Sequence, residues 1–221
     1  MLSQESKPVN ILFDLDGTLT DSRPGIVACL EHTLSELKLS SSPDTPLENF
    51  IGASLREVFK ALLPAHSNKN DIEVAVSIYR ERFRTKGLYE NSVYEGIPEM
   101  LSSLTEQGRK LYIATSKPQV YAEKIIQHFG LAEFFQAIYG AELDGRFDLK
   151  SDLIAHVLDD SALDKELTIM IGDRYHDING ARDNHIYPVG VLWGYGSEEE
   201  LCTAGAKVLC NKPRDITTLS I

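Results

Sequence analysis

Two aspartates one residue apart, Asp14 and Asp16, close the apolar run Ile11-Leu12-Phe13 in the segment ILFDLDGTLTDS. Carboxylates repel one another, so a pair of them at the end of a buried strand calls for a cation. A hard divalent ion held by oxygen ligands removes the conflict. Gly17 follows and lets the backbone turn tightly. A second acidic group lies far along the chain in IMIGDRYHDINGAR, where Asp173 closes another apolar run and Asp177 begins the next helical segment. By itself a carboxylate at the start of a helix is favoured as a cap. Thr115 ends KLYIAT just before SKP, a place where a hydroxyl and the N–H groups of a turn suit phosphate oxygens. Lys150 opens a helical segment after DGRFDL; alone, such a lysine is ordinarily a solvated surface charge.

These residues need elements to bring them together. VNILF (9–13), KLYIAT (110–115), LTIMIG (167–172) and YPVGVLW (187–193) are nearly continuous apolar runs, the pattern of strands buried on both faces of a parallel sheet. Helical periods lie between the later ones, at about 120–129, at about 151–158, and from near Asp177. The alternation predicts an α/β fold with a doubly wound parallel sheet. The acid-bearing strand ends then meet at the carboxyl edge, where open sheets of this kind place ligands. From 21 to 92 the rhythm changes and no strand is evident. Ile26, Leu30, Leu34 and Leu37 fall at helical spacing behind Pro24, LENFIGASLREVFKALL reads as helix broken at IGAS, and Ile72, Val76, Tyr79 and Phe83 form another stripe. Such stripes are read as packing. Residues 1–20 and 93–221 are expected to form the core, with 21–92 an all-helical cap inserted after the first strand. SSSPDTP (40–46) is expected as a loop.

Composition restricts the function further. The 221-residue chain carries a formal net charge of −11, with 43% hydrophobic and 25% charged residues. That charge argues against nucleic acid as a partner. No run approaches the roughly 18 to 20 apolar residues of a membrane span, so no membrane partner is expected. Cys29, Cys202 and Cys210 show no metal-type spacing, which fits a reducing compartment. MLSQESKPVN has no apolar signal region, and a cytoplasmic location is expected. An acidic protein that handles an anion needs a local positive field from lysine, arginine, helix N-termini or a metal.

DLDGT, ATS, Lys150 and GDRYHD, in that order, resemble the four motifs of the haloacid dehalogenase-like superfamily of phosphohydrolases, and the resemblance runs over essentially the whole chain. FDLDGTLTDS, GVLWGYGSEEEL and the position of the helical insertion are similar to its phosphoglycolate phosphatase-like branch. The resemblance implies a Rossmann-like core and an aspartyl-phosphate formed on Asp14. Asp16 would protonate the leaving alcohol and then activate water. Mg²⁺ would be held by Asp14, the backbone carbonyl of Asp16, and Asp173, with Asp177 ordering the metal's waters or supporting Lys150. Thr115, Ser116 and Lys150 would bind phosphoryl oxygens. Ser151 stands where many relatives have proline, and Arg146 is the fallback for Lys150. In the helical insertion Arg23 and Arg56 are the candidates for the leaving group, ahead of Arg84 and Lys86. His176 is the histidine nearest the site and reads as structural.

Asp16 separates phosphatases and phosphomutases from dehalogenases of the superfamily, since halide leaves without a proton. The expected substrate is a small phosphorylated metabolite such as phosphoglycolate, a sugar phosphate or a 5′-nucleotide, handled by a monomer or homodimer. A β-phosphoglucomutase-like phosphomutase and a phospho-acceptor signalling module are the alternatives.

Overall fold

A computed structural model describes residues 9–40 and 46–219. The loop expected at 40–46 falls almost wholly outside them. In chain order the strands and helices are β1 (Asn10–Phe13), β2 (Thr20–Asp21), α1 (Arg23–Glu36), α2 (Leu55–Leu62), α3 (Lys69–Arg82), β3 (Ser92–Val93), α4 (Ile97–Glu106), β4 (Lys110–Pro118) and α5 (Gln119–His128). There follow β5 (Phe135–Ala141), α6 (Lys150–Asp160), β6 (Thr168–Gly172), α7 (Tyr175–Asp183), β7 (Tyr187–Val191), α8 (Glu198–Ala204) and β8 (Val208–Cys210).

The main sheet has the order β5-β4-β1-β6-β7-β8, and every pairing in it is parallel. β1 is central, with Phe13 in register with Ile113 on one side and Ile171 on the other. That is why ILF has no polar alternation: both faces of the strand are covered. From β1 the chain winds outward through β4 and β5, then returns to β6 and winds the other way. The reversal beside β1 is the topological switch point of a doubly wound sheet, and its carboxyl edge forms a crevice.

The structure differs from the sequence reading at the sheet's margins. β5 and β8 are edge strands that the apolar runs did not reveal. β5 reads FQAIYGA and is only partly buried, and β8 has three residues. Edge strands need no continuous apolar run, so the pattern is weak there. β4 continues through SKP to Pro118, with a break in register between Thr115 and Pro118. α7 begins at Tyr175, two residues before Asp177.

Between β2 and β3 the described chain is helical. The two short strands pair antiparallel, Thr20 with Val93 and Asp21 with Ser92, so this segment leaves and rejoins the sheet at one place. Ile26, Leu30 and Leu34 of α1 and Val76, Tyr79 and Phe83 on and after α3 are buried in one cluster with Ile11 and Phe13 of β1. IGAS is indeed a break: a 3₁₀ turn at Leu47–Phe50 ends there, and Ser54 caps α2 by accepting the Glu57 N–H. Among the described residues no helix is long and apolar enough to cross a membrane.

Candidate active site

Asp14 follows β1 and its N–H still bonds the Ile171 carbonyl of β6, at 2.9 Å. Asp173 follows β6, and Asp177 lies in the first turn of α7. One carboxylate oxygen from each lies within 4.8 Å of the others, and all three residues are buried. Two glycines make this approach possible. A Cβ on Gly17, whose φ is +87°, would sit 2.2 Å from Asp173 Oδ2, and one on Gly172 would sit 2.2 Å from Asp177 Cγ.

Lys150, at the start of α6, sends Nζ to 2.8 Å from Asp14 Oδ1, 2.8 Å from Asp177 Oδ1 and 3.0 Å from the Ala114 carbonyl. Burial alone would lower its pKa, but Asp14 and Asp177 outweigh that and raise it. It is therefore a fixed cation. Arg146 is exposed and bonded to Glu142 instead. Asp173 accepts from Thr18 Oγ1 at 3.0 Å and from the Tyr195 N–H at 2.8 Å. Burial, with Asp177 and Asp14 beside it, still lifts its pKa well above the carboxylate range. Asp177 is pushed up to about 6, by burial first, with Lys150 opposing and Asp14 adding. Three carboxylates around one ammonium thus carry excess negative charge. Their oxygens are the hard donors a divalent cation takes, so the residues present fit a metal, to which the Asp16 main-chain carbonyl is adjacent in the chain.

The Asp16 side chain stands apart from that cluster. Its Oδ2 lies 2.8 Å from Lys117 Nζ. Its Oδ1 is buried without a hydrogen-bond partner among the described residues. Thr115 is buried, with its Oγ1 accepting the Lys117 N–H at 3.2 Å. The register break in β4 is what turns Ser116 and Lys117 into the crevice. Asp14, Asp16, Thr115, Ser116 and Lys117 form the core side of a cavity of about 70 Å³. The opposite wall is supplied by Phe50, Ile51, Tyr79, Arg80 and Phe83 from the helical segment, with Tyr121 at its side.

The candidates within the helical segment are placed differently from one another. Arg56 lines the cavity, but its guanidinium is paired with Glu73 at 2.7 Å and Asp148 at 3.3 Å. Arg23 is exposed and lies over the Tyr195 ring, 5.1 Å from its centre, outside the cavity lining. Arg84 pairs with Glu81 on the surface, and Lys86 is exposed. The His176 ring lies tilted at 34° against that of Tyr175, with ring centres 3.8 Å apart, and is not part of the carboxylate cluster. Residues that sequence reasoning passed over are Lys117, Arg174 and Tyr195. For Lys117 a signal existed: it lies two residues past Thr115 in the same turn, and Asp16 needed a partner.

A doubly wound sheet carrying paired acids, a buried lysine and a threonine on its carboxyl edge defines an α/β phosphohydrolase. The chain belongs to the haloacid dehalogenase-like hydrolase family, whose model matches residues 11–191. It is similar to a 5′-nucleotidase of Pseudomonas aeruginosa, 48% identical over 192 residues that cover 87% of this chain and 86% of that protein. It is also similar to tyrosine-protein kinase PtkA of Mycobacterium tuberculosis, 36% identical over 194 residues, of whose length the match covers 65%. A crystal structure of a predicted phosphatase from Clostridium acetobutylicum superposes with a TM-score of 0.91 at 39% identity, covering 96% of this chain and 97% of that one. The protein is a phosphatase of this family, a phosphoric monoester hydrolase. The family typically uses a divalent metal, and a buried acidic cluster for one is present.

Proposed function

We propose that the protein hydrolyses small phosphate monoesters in a Mg²⁺-dependent reaction through an aspartyl-phosphate on Asp14, with nucleoside 5′-monophosphates as the favoured substrate class. The observation that carries the reading is the position of Lys150 Nζ, shared between Asp14 and Asp177 of the carboxylate cluster and bonded to the Ala114 carbonyl, next in the chain to Thr115. Asp14, the Asp16 carbonyl and Asp173 would hold the Mg²⁺, which supplies positive charge against a phosphate dianion. Lys150 adds its own charge, and the Thr115 and Ser116 groups orient the phosphoryl oxygens.

In the first half-reaction an Asp14 carboxylate oxygen forms a bond to phosphorus as the ester P–O bond breaks. Protonated Asp16 gives its proton to the leaving oxygen. In the second, ionised Asp16 takes a proton from water, the water oxygen bonds to phosphorus, and the Asp14 acyl phosphate bond breaks. The partnerless Asp16 Oδ1 is the oxygen free for both transfers. Residues 21–92 act as a lid over this chemistry, moving about the β2–β3 pair.

Two features favour a nucleoside over glycolate as leaving group. The helical wall is aromatic and apolar, with Phe50, Tyr79 and Phe83 facing the crevice beside Tyr121; and a relative of nearly half-identical sequence bears the name 5′-nucleotidase. The cavity of about 70 Å³ is about half the ~150 Å³ that admits benzene in a protein core. A nucleoside therefore enters only after the helical segment withdraws, and closure follows binding. The test is inorganic phosphate release from 5′-nucleotides, phosphoglycolate and hexose phosphates, with Mg²⁺ and with EDTA. Release that needs Mg²⁺ and is fastest for nucleotides is expected. Preference for phosphoglycolate would overturn the substrate class, and isomerisation of a hexose phosphate without net release would replace the phosphatase with a mutase.

A further inference from the structure

We infer that Arg174 is a positioning residue that fastens the helical wall of the leaving-group cavity to the carboxylate cluster, so that a divalent cation in the cluster also orders the wall. The inference rests on the reading of that cluster as a cation site.

Arg174 stands between Asp173 and Asp177 in GDRYHD. Its backbone N–H donates to Asp177 Oδ2 at 3.1 Å, so its main chain belongs to the cluster. Its side chain does something unrelated to the cluster. It is 8% exposed and turns to the helical segment, where Nη1 donates to the carbonyls of Ile51 and Asn49 and Nη2 to that of Asn49. Nε donates to Glu200 Oε1 at 2.8 Å, and the same oxygen takes the Tyr175 N–H at 2.9 Å. A planar guanidinium fork is suited to holding several acceptors in one geometry.

The carbonyls it holds end the 3₁₀ turn that leads into Phe50–Ala53, the stretch lining the cavity. Gly52 adopts φ +96°, and a Cβ there would come 3.1 Å from Arg174 Cγ. The glycine thus lets the arginine stem pass against the backbone. Main-chain carbonyls are read regardless of side chain, so this contact sets where the wall stands rather than which residue occupies it.

The coupling follows from the neighbours of Arg174. Asp14, Asp173 and Asp177 each bring a carboxylate oxygen within 4.8 Å of the others, a spacing that like charges oppose. A cation draws them together and fixes the turn that carries Arg174. The guanidinium then transmits that order to Ile51 and Asn49. Only a leaving group large enough to touch the wall gains from it.

The experiment uses the whole protein, its Arg174→Ala variant and, should alanine prevent folding, Arg174→Lys, whose single ammonium cannot span the same carbonyls. Amide hydrogen exchange over residues 47–55 is followed with and without Mn²⁺, and Mn²⁺ binding is measured by calorimetry on the same samples. Mn²⁺ is expected to slow exchange at Ile51–Ala53 about tenfold in the parent and not in the variant. The ratio of kcat/KM for a 5′-nucleotide over that for acetyl phosphate is expected to fall about tenfold, through KM for the nucleotide, as the loss of charge-assisted hydrogen bonds implies. Mn²⁺ binding without protection at Ile51–Ala53 in the parent would overturn the coupling. An equal loss on both substrates would reduce Arg174 to a fold-stabilising residue. Absence of Mn²⁺ binding in the parent would overturn the cation reading and the coupling with it.

Discussion

The ammonium of Lys117 lies 2.8 Å from Asp16 Oδ2 and 4.5 Å from the centre of the Phe83 ring. One side chain of the sheet edge thus touches both the proposed acid–base residue and an aromatic of the helical segment. Both members of the pair are nearly buried, at 5% and 10% side-chain exposure. Removing one partner of such a pair leaves an uncompensated charge. Lys117→Met is expected to lower the unfolding free energy by about 3 kcal/mol. The double variant Asp16→Asn/Lys117→Met recovers more than half of that loss. A urea-denaturation double-mutant cycle measures it, and additive losses would mean that the pair is not coupled.

Asp14→Asn removes the proposed nucleophile. Phosphate release is expected to fall by a factor on the order of 10³ or more. The metal-free protein should not lose thermal stability, because one of three clustered carboxylates is neutralised while Lys150 keeps Asp177. Residual turnover near the parent rate would place the nucleophile elsewhere.

Asp16→Asn should act unequally on the two half-reactions. With a 5′-nucleotide, turnover falls by roughly 10²–10⁴, the usual weight of a general acid–base. With p-nitrophenyl phosphate the leaving group needs no proton, so the first step survives and the second is slow. Rapid-mixing experiments should then show a burst of nitrophenolate equivalent to one per protein molecule. A steady rate without a burst argues against this division of labour.

The cluster also makes stability depend on pH and metal together. Asp173 and Asp177 have folded-state pKa values raised above their unfolded value, Asp177 to about 6. Between the unfolded and folded values the native state binds more protons, so stability is present at low pH and lost as pH rises through about 6. In EDTA, Tm is therefore expected to fall between pH 5 and pH 8. Mg²⁺ binds the ionised carboxylates, and the Tm increase it gives should be larger at pH 8 than at pH 5. Differential scanning calorimetry at the two pH values decides this, and a Mg²⁺ shift independent of pH would contradict it.

The cluster was legible in the sequence because each member sits where an apolar run stops or a helix starts. Asp14 and Asp173 follow two neighbouring strands, Thr115 precedes the register break in a third, Lys150 opens α6 and Asp177 lies in the first turn of α7. The apolar runs brought Asp14 and Asp173 to one edge, and the resemblance to the family's motifs added Thr115, Lys150 and Asp177. What neither could supply is a partner remote along the chain. Arg174 reaches carbonyls of Asn49 and Ile51, and carbonyls leave no mark in a sequence. Arg23 and Arg56 lie near motifs in the sequence, and in the fold their guanidinium groups meet Tyr195 and Glu73 with Asp148. β5 and β8 escaped because an edge strand is covered less completely than a central one.

The pairing of Thr20 with Val93 and Asp21 with Ser92 makes the departure and return of the helical segment near neighbours. Such a stretch can change length at its exposed turns without shifting the sheet's register, while the faces of α1 and α3 that pack against β1 stay constrained. On the proposed reading, substitutions in the cavity wall between the seam's two strands would retune which ester is accepted, while the carboxylates at the sheet edge stay as they are.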